Sequence, residues 1–259
     1  MIDFTDLLGQ VMQSGMSRTG RKRIDHAMGD RGLGGAGGLL SDLLGGLSSS
    51  SSGGGLGDIG RAAGKMLGGG RLATGGLGAL AGALLGGGGN AGRGALGGGL
   101  MALLGSLAVS AMKNMNQPVA ETDVRSLPVG MREPENETEQ QELQENARLI
   151  IRAMINAAKA DGQIDQTEIQ RITGKLAEIG VDDEARSFVF KEMGKPSDLN
   201  AIARDATTPE IRAQVYAASL LAIKVETPAE KQYLQDLANG LGLDGKAVMN
   251  IHKLLGVND

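Results

Sequence analysis

The chain has 259 residues, of which 43 are glycine, 2% are aromatic and none is cysteine or tryptophan. Lack of cysteine excludes disulfides, thiolate-ligated zinc and thiol catalysis. Charge and glycine divide the chain: residues 1–120 hold 34 glycines and 10 Lys+Arg against 6 Asp+Glu, whereas residues 121–259 hold 16 Lys+Arg against 24 Asp+Glu.

An acidic half joined to a mildly basic arm, with no basic stripe interleaved with aromatics, argues against a nucleic-acid partner and suits anionic lipid headgroups better. The first half is too rich in glycine for an ordinary soluble core, because ordering glycine costs the most backbone entropy and leaves little to bury. Met1 to Asp6 has acidic residues where a signal peptide needs basic ones, so no cleaved signal is expected.

Within the arm, Ile2, Leu7, Leu8, Val11 and Met12 have the spacing of one short amphipathic helix without a cap. Arg18, Arg21, Lys22 and Arg23 form a basic cluster that reads as a solvated loop or as a lipid-headgroup contact. Residues 29–60, with Ser48 to Ser52 in a row, have linker composition, so that 1–71 reads as a flexible Gly/Ser-rich arm. Leu72 to Gly92 and Gly94 to Met112 are two charge-free windows separated by Arg93. The second approaches the ~20 residues a helix needs to cross a bilayer, and 72–113 is expected as a membrane segment or hairpin. Gly78, Gly82 and Gly86, then Gly94, Gly98 and Ala102, recur every four residues, a spacing that fits self-association of membrane helices. Pro118, Pro128 and Pro134 mark 114–137 as a linker.

Residues 138–259 read as an all-α domain of about seven helices. Leu143, Ala147, Ile150, Ile151, Met154 and Ala158 step at three and four along a first helix ended by Asp161-Gly162. Asp165 and Glu168 have the residue types of a capping box, Gly180 closes the second helix, and Thr208-Pro209 and Thr227-Pro228 start two more. Asp165-x-x-Glu168…Ile172…Ile179-Gly180-Val181 recurs as Thr227-x-x-Glu230…Leu234…Leu241-Gly242-Leu243 at an offset of 62 residues. Two related helix-turn-helix units follow.

The run Ala158-Lys159-Ala160-Asp161-Gly162-x-Ile164-Asp165-x-x-Glu168, with Leu221 to Glu230 and Leu241-Gly242-Leu243, resembles the TerB-like fold of tellurite-resistance proteins. More narrowly it is similar to the YebE-type family of bacterial inner-membrane proteins of unknown function. The resemblance covers about residues 140–256 and implies an all-helical fold, a bacterial inner-membrane setting and no established reaction or cofactor; by analogy it suggests an envelope or stress role through a protein partner, and a membrane hairpin at 72–113 would keep both ends of the chain on one side, most simply the cytoplasm.

The chemical candidate is the carboxylate set Asp161, Asp165 and Glu168, whose oxygens could hold a hard cation such as calcium. TerB-like domains are similar in having acidic residues at this turn. The spacing departs from an EF-hand, and a helix end followed by an N-cap accounts for all three. His26 and His252 are the only histidines, and surface or half-buried placement is the expectation for both. No phosphate loop or nucleophile elbow is present. A non-enzymatic, membrane-anchored interaction domain is therefore expected, with calcium-type metal sensing as the alternative.

Overall fold

A computed structural model describes residues 2–15, 18–29, 33, 92–113, 129–131, 134–162, 164, 166–178 and 180–257. Among them are ten helices and no strand: α1 (Phe4–Gly15), α2 (Arg18–Met28), α3 (Gly92–Lys113), α4 (Glu137–Ala158), α5 (Gln166–Glu178), α6 (Asp183–Gly194), α7 (Leu199–Asp205), α8 (Pro209–Ala222), α9 (Pro228–Gly240) and α10 (Gly245–Leu254). The low-complexity tract, including Ser48 to Ser52, and the first charge-free window at 72–91 lie outside the described residues.

The seven helices expected after residue 138 are present as α4 to α10, and their starts are chemical. Asn136, Asp182, Asp198, Thr208, Thr227 and Asp244 each accept a hydrogen bond from the backbone N–H three residues on, satisfying one of the donors a helix start leaves open. Thr227 and Glu230 form the full reciprocal box, with the Glu230 N–H donating to Thr227 Oγ1 (3.1 Å) and the Thr227 N–H donating to Glu230 Oε2 (2.8 Å).

The repeat is a repeat of hydrogen bonds. Gly180 (φ +83°) and Gly242 (φ +65°) occupy the left-handed region that glycine enters without steric penalty. Around them the Val181 N–H donates to the Leu176 carbonyl at 2.9 Å and the Leu243 N–H to the Ala238 carbonyl at 3.0 Å, two Schellman closures in register.

α8 is the axis of the fold. Ile211 and every residue from Ala213 to Leu221 is buried, because α3, α4, α9, α10 and α2 surround it. Such a helix carries little polar face, in contrast to α4, whose Leu143, Ala147, Ile150, Ile151 and Met154 face inward while its glutamates face solvent.

The described parts of the first 113 residues depart from the sequence reading. The amphipathic helix at 2–12 exists as α1, and it is capped: Asp3 Oδ1 accepts from the Thr5 and Asp6 N–H groups, both at 3.1 Å. Gln144 of α4 grips the same end, donating from Nε2 to Asp3 Oδ1 (3.0 Å) and accepting from the Phe4 N–H (2.6 Å). Phe4 packs edge-on to Phe188 of α6 with centroids 5.0 Å apart, and the Arg148 guanidinium lies over both rings. Leu7, Leu8 and Met12 complete the contact as buried members of the one apolar cluster that also holds α4 and α8.

The window expected to span a membrane, Gly94 to Met112, lies within α3, and its described part is in that same cluster. Met101, Leu104, Leu107 and Ala111 are at most 1% exposed, packed against α1, α8 and α10. A helix apolar on all sides must be enclosed by protein or by lipid, and the buried side chains of α3 from Met101 to Met112 are enclosed by protein. Among the described residues no helix is long and apolar enough to cross a membrane. Gly105 of α3 serves close packing inside the fold: a Cβ there would stand 2.5 Å from Met131 Cγ.

Candidate functional site

The basic cluster at 18–23 is helical, as α2, and forms one wall of a cleft of ≈ 960 Å³ whose other walls are α9, α10 and the segment joining α8 to α9. Spacing explains the wall: Thr19, Lys22, Arg23 and His26 step at three and four and so share a helix face.

Arg23 fastens that wall. Its guanidinium donates to the Leu220 carbonyl, to the Ile223 carbonyl at 2.7 Å and to the Lys224 carbonyl at 2.9 Å, closing carbonyls at the end of α8. Burial pulls its pKa down, and the charge of Glu230 opposes that pull. Glu230 holds the same segment from the other side, accepting from the Glu226 N–H (2.8 Å) as well as from Thr227. Burial alone would raise the Glu230 pKa, but the hydrogen bonds from Thr227, Glu226 and Lys224 outweigh it and leave the pKa below the ordinary glutamate value. Between the two clamps Val225 is held at φ +65°, an uncommon conformation for a β-branched residue.

The cleft is amphipathic. Lys22, Lys224 and Lys231 are exposed at its rim, while Leu234, Ala238 and Leu255 are buried at its floor and Val248 and Val257 are half-buried beside them. Tyr216, 1% exposed, places its hydroxyl oxygen 2.9 Å from His252 Nε2, with the two rings nearly parallel. His26 lies against Gly256, whose Cα leaves no room for a Cβ: one would come within 2.7 Å of the imidazole. No aspartate or glutamate is among the described residues that line the cleft, although residues 121–259 as a whole are acidic. Field lines from several cations over a low-dielectric floor favour an anion there.

Of the sequence-predicted carboxylates, none is among the described residues that line the cleft. Asp161 is exposed on the turn after α4, Asp165 lies outside the described residues, and Glu168 is in the first turn of α5 with its side chain outside them. Among the described residues no group of three or more His, Asp or Glu side chains is arranged to hold a metal. At this turn the described polar device is Lys159, whose Nζ donates to the Glu192 and Lys195 carbonyls at 2.7 and 2.8 Å. Both histidines, which sequence reasoning set aside singly, line the cleft together. The signal that was present is the helical stepping of Thr19, Lys22, Arg23 and His26.

The fold defines an all-helical protein with two related helix-turn-helix units and an open, cation-rimmed cleft beside the second. Residues 66–255 match the family described as "Protein of unknown function (DUF533)", and the chain belongs to that family, which is TerB-like. It is also similar to a Yersinia enterocolitica protein described as "Uncharacterized protein in ampR 5'region", at 26% identity over 99 residues, covering 38% of this chain and 71% of that protein. No solved structure matches.

Proposed function

We propose that this chain is a non-enzymatic binding protein whose recognition element is the cleft between α2, α9 and α10, and that it binds an anionic partner there. The observation carrying this reading is the lining itself: Lys22, Lys224 and Lys231 over an aliphatic floor, with no carboxylate among the described lining residues. Pockets of this volume with a few convergent polar groups are the usual form of a ligand site. The inner-membrane location expected from the sequence keeps its basis in residues 72–92, since the apolar side chains of 101–112 are committed to the core.

The test uses 8-anilinonaphthalene-1-sulfonate, an apolar sulfonate whose fluorescence rises in such sites, with the full chain. Saturable binding that is lost in Lys224→Glu/Lys231→Glu and kept in Lys191→Glu, on the distant α6, is the expected result. Equal binding by all three proteins, or by none, overturns the reading.

A further inference from the structure

We infer that the ligand of this cleft is a single-chain acyl amphiphile with a carboxylate or phosphate head; this rests on the reading of the cleft as an anion site. Three features of the lining lead there. First, the cations stand at the exposed rim and the half-buried aliphatic side chains Leu243, Val248 and Val257 line the cleft beside them, so charge and apolar surface are separated as head and tail are in an amphiphile. Second, a volume of ≈ 960 Å³ is far more than a bare phosphate or carboxylate fills, and a small anion would leave the aliphatic floor wet. Third, no phenylalanine or tryptophan is among the described lining residues and Tyr216 is 1% exposed, so the ring faces on offer are the half-buried imidazoles of His26, packed against Gly256, and His252, stacked on Tyr216.

The anchor of the head is distributed. Arg23 is committed to the α8 carbonyls, which leaves Lys22, Lys224 and Lys231 as the groups that meet the incoming charge. Point charges on flexible stems accept a carboxylate or a phosphate without the fixed geometry an arginine fork would impose. The tail gains by displacing water from the floor, so affinity rises with chain length until the cleft is filled.

Displacement of the bound sulfonate dye from the full chain, with every amphiphile kept below its micelle concentration, tests this. Hexadecanoate and 1-acyl lysophosphatidate are expected to displace the dye and to show which head is preferred. Each two-carbon extension from octanoate upward tightens binding about tenfold until the cleft is full. Lys224→Gln/Lys231→Gln weakens the anionic amphiphiles about tenfold or more and leaves the neutral monoacylglycerol unchanged. Val257→Glu weakens the long chains while the dissociation constant for the dye stays within about threefold of the parent. The inference is overturned if hexadecyltrimethylammonium displaces the dye as well as hexadecanoate does, if affinity is flat with chain length, or if inorganic phosphate or an oligoglutamate peptide displaces the dye and the amphiphiles do not. In the last case the anion site stands and only its ligand class falls. A dye that never bound the cleft would remove both.

Discussion

Replacing Arg23 by Met removes three hydrogen bonds from a positive donor to the carbonyls of Leu220, Ile223 and Lys224 while keeping most of the side-chain volume. A hydrogen bond to a charged group contributes about 1.5–3 kcal/mol, but water reaches part of this helix end once the guanidinium is gone. A loss of about 3 kcal/mol, referred to the docking of α2, is the reasonable magnitude. α2 is strongly polar and its buried described residues are Gly20, Arg23 and Ala27, so little else holds it. The break is therefore local. Hydrogen exchange resolved along the chain should show α2 amides losing a hundredfold or more of their protection while α4 and α8 keep theirs, and dye binding at the cleft should fall with the wall. Arg23→Lys should recover only part of the protection, because an ammonium cannot span three carbonyls as a planar fork does. Unchanged protection of α2 in Arg23→Met would refute the assignment of Arg23 as the fastening.

Glu230 has a folded-state pKa below its unfolded value of about 4.5, so its contribution is present above that pH and is lost as pH falls through the folded pKa. Denaturant titrations should show stability declining below about pH 4.5, with a shallower decline in Glu230→Gln; parallel curves would contradict this. Gly105→Ala should destabilise by about 1–2 kcal/mol despite a helix-propensity gain of about 1 kcal/mol, because Met131 stands where the Cβ would go, and a rise in Tm would show that α3 is not packed there. Lys159→Met should cost about 2–3 kcal/mol in equilibrium unfolding, because it removes two charge-assisted hydrogen bonds and leaves the Glu192 carbonyl only the Lys195 N–H at 3.3 Å. Alkaline carbonate should release a chain lacking residues 72–92 from membranes and not the intact chain; release of both would remove the membrane part of the proposal.

The helical domain was legible because its signals are local: caps at Thr208, Thr227 and Asp244, glycines at 180 and 242, and apolar steps of three and four along α4. What the sequence did not show is long-range. Met101 to Met112 is apolar on all sides, and no periodicity separates a helix enclosed by lipid from one enclosed by α1, α8 and α10. Arg23 read as one member of a basic cluster, a solvated loop or a lipid-headgroup contact, since nothing near it in sequence announces carbonyls 200 residues away. The carboxylates at 161, 165 and 168 drew notice for the opposite reason: they are close in sequence, which is cheap to see and says little about a site. His26 and His252 line one cleft because α2 packs with His26 against Gly256.

The clamp between Arg23 and Ile223 also sets an order of events during synthesis. Arg23 leaves the ribosome 200 residues ahead of its partner carbonyl. At about 5–20 residues per second that is a wait of on the order of 10–40 s. During it, the helix that will wall the cleft has no mate, and α10 with Val257 comes later still. A chain that stops before α10 therefore lacks one wall of the cleft, whatever the earlier helices have formed.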